Sequence, residues 1–263
     1  MGRYDPAGHH PSCPHFTDTT AECKRLVPLG PWLDRATKAR IPIIPAVFSL
    51  PFPLRQLNDA LEHIPTPELD YARTQTQRYA DARTAQRQRS LIRWEDCSSA
   101  TTKSHFAHGG SWVPALAQLP TLDDERLMDC ALTDPQRLCV RPWIEPQRNQ
   151  GYPIEFRVYW GPDGWLGTSS YYPQRPLHTD DSILWLATTA RDYAQSLATT
   201  EPFPLGFSAD FLATAHPIGP LVFIEGGPPH LQHWYLSAHP CCFPTGHITG
   251  LALTLQPGAD TGD

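Results

Sequence analysis

Apolar residues recur at positions 183, 186, 187, 190, 194 and 197 of the stretch SILWLATTARDYAQSL. That spacing puts one face of an α-helix against a core. PLRQLNDALEHI repeats the pattern at 54, 57, 61 and 64 and predicts a second helix. The run from 67 to 90 is polar and rich in arginine, with Leu69, Ala72, Tyr79, Ala80 and Ala82 as its apolar members. It predicts an exposed helix with a proline in its first turn. TLDDERLMDCAL, 121 to 132, opens on a threonine and acids, a helix start. A short helix is expected near 32 to 39.

Other segments read as strands. SLIRWED, RLCVRPWIE and IEFRVYW are rich in β-branched and aromatic residues. GPDG at 161 to 164 predicts a turn, with WLGTSSYY as the returning strand. IPIIPAVFSLPFP mixes such residues with prolines, which suits one short edge strand. Two further apolar runs, Phe207 to Ala213 and Leu221 to Ile224, are joined by TAHPIGP. After residue 91 the order is strand, loop, helix, strand, hairpin, helix, hairpin. That order predicts an α+β fold with mostly antiparallel pairing. The apolar stretch ITGLALTL follows residue 245, and the polar end after it is expected to fray.

The chain has 263 residues, 40% of them hydrophobic, enough for a sizeable core. Its 29 prolines imply many turns and irregular loops. A net charge of −6 argues against a nucleic-acid partner, and the Arg-rich helix reads as a solvated face. No apolar run approaches the length of a membrane span, and the first residues carry no apolar core of a signal peptide. The expectation is a cytoplasmic protein with no membrane partner. Seven cysteines, irregularly spaced and without a CxxC, point to reduced thiols and away from a disulfide framework.

Each of the two late apolar runs delivers one acid, Asp210 and Glu225. If the runs pair as a hairpin, the carboxylates lie side by side and repel unless a cation sits between them. Magnesium is held in this way by one or two carboxylates together with phosphates. The alternative is a pair of surface acids at strand ends. Arg93, Arg141 and Arg157 all fall inside strand patterns, and arginine is rarely buried without an anion. They suggest a phosphate or carboxylate cradle, or pairing with Glu95, Glu145 or Glu155. SSATTKSHFAHGG, 98 to 110, is a loop whose backbone N–H groups and Lys103 could wrap phosphates, although it is no Walker loop. The C-terminal cluster His230, His233, His239, Cys241, Cys242 and His247 offers zinc ligands, but at no common zinc spacing.

Taken in order, these segments resemble the ATP-grasp superfamily over about residues 88 to 243. LIRWED stands at its first strand, with Arg93 in place of the usual lysine. The 98 to 110 loop stands at the lid, CVRPWIE at the adenine hinge, IEFRVYW at the arginine strand, and FSADFL with VFIEGGPP at the metal-binding pair. VRPWIE, EFRVYW and SSYY are nearest to an arginine-rich branch. That branch includes phage and bacterial conflict-associated members and a eukaryotic assembly factor for translation initiation.

The resemblance implies two α+β subdomains holding ATP between them. Its implied organisation is an irregular, reduced N-terminal region at 1–88, an ATP-grasp domain at 89–250 and a flexible tail at 251–263. It further implies ATP and Mg²⁺ as cofactors, with Asp210 and Glu225 on the metal. Arg93 and Lys103 would contact phosphates, and Trp143, Ile144 and Glu145 would contact the nucleoside. Arg141 and Arg157 are the implied catalytic pair, acting on the transferred phosphoryl group or the acceptor carboxylate. The implied activity is a carboxylate–amine ligase working through an acyl phosphate, with a small or peptide acid and an amine as substrates. Gly227 departs from the pattern, because it replaces an asparagine two residues after the metal-binding glutamate. That departure favours a rival, a non-catalytic ATP-binding assembly module. A zinc protein built on the C-terminal cluster is the second rival.

Overall fold

A computed structural model of the chain describes residues 25–51, 67–86, 88–96, 134–171, 177, 180–204, 206–215, 219–228 and 247–248. The fold is α+β with mostly antiparallel sheets. The helix expected at 53 to 64, the loop at 98 to 110 with Lys103, the helix at 121 to 132 and all of the His/Cys cluster but the backbone of His247 lie outside the described residues.

The chain divides into two units. The first comprises Met1–Leu26, Pro31–Ile43 and Glu145–Asp263, and the second Val27–Gly30 and Ile44–Ile144. In the second unit, β1 (Val47–Phe48), β2 (Ser90–Trp94) and β3 (Leu138–Pro142) form an antiparallel sheet in the order β1-β3-β2. Helix α2 (Pro67–Ala85) packs on β2 and β3. It buries Ala72, Thr76 and Ala80, one residue per turn along a single face, which explains how so polar a sequence stays anchored. β1 is the short edge strand that its prolines predicted.

In the first unit, helix α1 (Leu29–Lys38) contributes all but its first turn's opening residues. Two short strands, β4 (Arg148–Asn149) and β5 (Tyr152–Pro153), make a small ribbon that the sequence pattern did not reveal. The main sheet runs β10-β7-β6-β8-β9, with β6 (Glu155–Gly161), β7 (Gly164–Ser170), β8 (Phe207–Ala213), β9 (Leu221–Gly227) and β10 (His247–Ile248). Among the described strands of this sheet β10 and β7 pair in parallel and the other pairs are antiparallel. Helix α3 (Asp181–Ala198) lies across β6, β7, β8 and β9. Its buried residues are Ile183, Leu186, Ala187, Ala190, Ala194 and Leu197, the six positions of the sequence pattern. Asp180 caps it, its carboxylate accepting from the Ile183 N–H at 2.9 Å.

One face of this sheet is aromatic. Phe207 and Phe211 on β8 and Phe223 on β9 meet Trp32 of α1 and Tyr193 of α3, with ring centroids 5.5 to 6.2 Å apart. The Trp32 indole donates to the Leu26 carbonyl at 2.6 Å, so its polar edge is satisfied inside the core. Arg35 lies over the Trp32 ring at 4.8 Å and donates to Glu201 at 2.6 Å, and Arg25 pairs with the same carboxylate. Gly226 completes this face. A Cβ there would stand 2.4 Å from the Trp32 ring, so the indole packs flat on the strand only because the residue is glycine.

Candidate functional site

Side chains alternate across a strand, so the residues between the aromatics point to the opposite face. On β6 these are Glu155, Arg157 and Tyr159, and on β8 Ser208, Asp210 and Leu212. All six are buried. The register then fixes a single row across four strands. Ser169 on β7 opposes Arg157 on β6, Arg157 opposes Asp210 on β8, and Asp210 opposes Glu225 on β9. A bulge between Asp210 and Phe211 follows at once, a feature that re-aims side chains beside functional sites.

The sequence brought Asp210 and Glu225 together as hairpin neighbours, and the register makes them direct partners. It did not foresee what Asp210 touches. Arg157 forks both carboxylate oxygens, Nε donating to Oδ1 at 2.6 Å and one terminal nitrogen to Oδ2 at 2.5 Å. The guanidinium also lies 4.8 Å over the Tyr171 ring. Burial alone lowers the Arg157 pKa, but the Asp210 charge and hydrogen bonds overcome this and hold it well above its ordinary value. The acids that the sequence offered as partners were Glu95, Glu145 and Glu155, whereas the anion that Arg157 forks, Asp210, lies 53 residues away. Glu225 is half-buried, whereas Asp210 is 2% exposed.

The three strand arginines do not fall on one sheet. Arg157 belongs to the first unit, while Arg93 and Arg141 belong to the second. There Arg93 opposes Cys139, and Arg141 opposes Leu91, all on the sheet face opposite Ile92 and Val140. Arg93 Nε donates to the Trp94 carbonyl at 3.0 Å, and Arg141 donates to the Ile44 carbonyl at 3.0 Å. Glu95, a candidate partner for Arg93, forks Arg137 instead through two bonds of 2.6 Å. That hydrogen bonding raises the Arg137 pKa. Cys139 is a fully buried free thiol. Burial pushes it up to about 11, against the pull of Arg93 and Arg141.

Trp143 and Ile144 end the second unit and are half-buried, while Glu145 begins the first and is exposed. The Trp143 N–H is already used, donating to the Arg89 carbonyl at 2.9 Å. Lys103 lies outside the described residues.

Two opposed carboxylates are a hard-oxygen donor set, which fits magnesium sharing its remaining positions with water and phosphate. Among the described residues no group of three or more His, Cys, Asp or Glu side chains is poised to hold a metal alone. No helix among them is long and apolar enough to cross a membrane. Gly227, unlike Gly226, is sterically open: a Cβ there would meet only Ser208 Oγ, at 3.7 Å.

No protein-family profile and no curated protein sequence matches this chain. Solved structures do. C-terminally truncated Cdc123 from Schizosaccharomyces pombe aligns at a TM-score of 0.54 and 16% identity, covering 83% of this chain and 90% of that one. Cdc123 from the same organism aligns at 0.53 and 14% identity, covering 88% and 95%. A RimK domain protein ATP-grasp from Sphaerobacter thermophilus DSM 20745 aligns at 0.41 and 12% identity, over 79% of this chain and 61% of that one. The shared fold rests on the two Cdc123 structures, to which this chain is similar over most of both lengths.

Proposed function

We propose that the polar face of the first unit binds a magnesium nucleotide, and that the protein is an ATP-dependent ligase joining a carboxylate to an amine. The observation that carries this reading is the row Arg157–Asp210–Glu225, a cation and two carboxylates in direct register on one sheet face. Asp210 and Glu225 would hold magnesium. Arg157, beside them, would neutralise charge on a phosphoryl group, since a planar guanidinium suits such oxygens. ATP supplies the phosphoryl group that activates a carboxylate, and magnesium supplies charge neutralisation. The order of sequence motifs supports the assignment, and so does the α+β fold.

A second reading is a nucleotide-binding assembly module without transfer chemistry. Gly227 favours it. The position that bears an amide side chain in the resembled family is bare here, although the structure leaves room for one. ADP formation separates the two readings. The ligase reading expects magnesium-dependent ADP release that rises when a panel of carboxylic acids and amines is added. Nucleotide binding without ADP release under every pairing would contradict it and leave the module.

A further inference from the structure

We infer that the Ser208 hydroxyl is a further protein oxygen for the cation at Asp210 and Glu225, standing beside the bare corner that Gly227 leaves. This inference rests on the magnesium reading above and adds a binding residue to that same site.

Ser208 lies two positions before Asp210 on β8, so both side chains leave the same face of the strand. The register pairs Ser208 with Gly227 and Asp210 with Glu225, and the bulge comes only after Asp210. These residues therefore mark the corners of one patch on two adjacent strands. Ser208, Asp210 and Glu225 carry oxygen at their corners, and Gly227 carries no side chain at its own. A Cβ at Gly227 would meet Ser208 Oγ at 3.7 Å, so the hydroxyl borders the bare corner. Ser208 is 6% exposed, and its hydroxyl donates to the Gly227 carbonyl at 3.4 Å. A carbonyl only accepts, so the single hydrogen of the hydroxyl is directed there. Its lone pairs remain, and lone pairs receive a cation rather than a phosphate oxygen. Among the described residues no third acid, histidine or cysteine joins the two carboxylates as a metal-holding group. A further donor from them is therefore a neutral oxygen. Ser208 is a hydroxyl on the same strand face as one carboxylate and diagonal to the other. Magnesium takes oxygen donors throughout, so a neutral hydroxyl beside two carboxylates suits it.

The test is calorimetry on the full chain, titrating manganese alone and then ATP with and without magnesium. The proteins are wild type, Ser208→Ala, Gly227→Ser and Ser208→Ala/Gly227→Ser. Ser208→Ala is expected to lose about tenfold in manganese affinity and in magnesium-dependent ATP affinity. Its ATP affinity without a divalent cation should match wild type, a split that a packing role for Ser208 would not produce. Gly227→Ser sets a hydroxyl on the bare corner from the opposite strand. It should restore most of the lost affinity in the Ser208→Ala background and add little where Ser208 already fills the position. Non-additivity of that kind is the mark of two residues serving one place. An equal loss of ATP affinity with and without magnesium overturns the inference. So do equal gains from Gly227→Ser in the two backgrounds. If Ser208→Ala does not fold, Ser208→Cys replaces it. A thiol fills the same space and is a poor magnesium ligand, so undiminished magnesium-dependent affinity in that variant overturns the inference. Wild type that binds MgATP while Ser208→Ala binds it as tightly overturns the role of Ser208 and leaves the nucleotide reading intact. Wild type that binds neither manganese nor MgATP overturns both.

Discussion

On the five-stranded sheet, Arg157 looks across to a carboxylate on the next strand. On the three-stranded sheet, Arg93 looks across to a thiol. Both arginines are buried, and both stand in the middle of apolar strand sequences. The first is answered by Asp210 through a two-bond fork, and the second donates to a main-chain carbonyl. The carboxylate of the second sheet, Glu95, serves Arg137 at the strand entrance. The residue type therefore does not decide what a strand arginine does. The register of the neighbouring strand decides it. In one unit the cation is locked to a candidate metal ligand, and in the other it surrounds a neutral thiol.

The largest expected effect comes from breaking the lock. Asp210→Asn leaves the Arg157 charge buried beside a neutral amide and should cost about 3–5 kcal/mol, read by urea unfolding. Arg157→Met/Asp210→Leu should recover most of that loss. A double variant no more stable than Asp210→Asn would show that the fork is not the main consequence of the change. This sensitivity makes Asp210 a poor probe of metal binding, and Glu225 the cleaner one.

The thiol of the second sheet predicts a different behaviour. Cys139 ordinarily titrates near 9.0 and is held up to about 11 by burial. Between those values the folded chain keeps a proton that the unfolded chain releases. Stability must therefore fall as pH rises through that window. At about 1.4 kcal/mol per pH unit, the loss approaches about 3 kcal/mol. Comparing denaturant midpoints of wild type and Cys139→Ala from neutral pH to pH 11 isolates this slope. Parallel curves for the two proteins would contradict it.

The glycine pair gives the smallest effects and the sharpest contrast. Gly226→Ala drives a methyl into the Trp32 ring and should cost about 1–3 kcal/mol. Gly227→Ala should stay within about 0.5 kcal/mol. Thermal unfolding of the two variants side by side checks this, and equal losses would refute the packing account of Trp32.

Much of the first unit's scaffold was legible in the residues. The periodicity of 183 to 197 gave the buried face of α3, and alternation with turn chemistry gave β6 through β9. Local pattern also gave α1, α2 and the edge strand β1. The ribbon β4–β5 was not legible, because RNQGYP is too short and too polar to show a period. At the site, Asp210 beside Glu225 followed from one hairpin. The Arg157 fork did not, because it depends on pairing between β6 and β8, which the whole of α3 separates in sequence. Ser169 had no sequence signal beyond its place in a returning strand. Nothing in the sequence set Gly226 apart, and the packed Trp32, 194 positions before it, explains it.

Glu225→Gln tests the central claim most directly, because it alters one half-buried carboxylate of the pair and leaves the Arg157–Asp210 fork in place. Calorimetric titration with ATP in the presence and absence of magnesium, on wild type and this variant, gives the answer. The account predicts magnesium-dependent binding by wild type, weakened about tenfold or more by the variant, with an unchanged melting temperature. Undiminished magnesium-dependent ATP affinity in Glu225→Gln would contradict it.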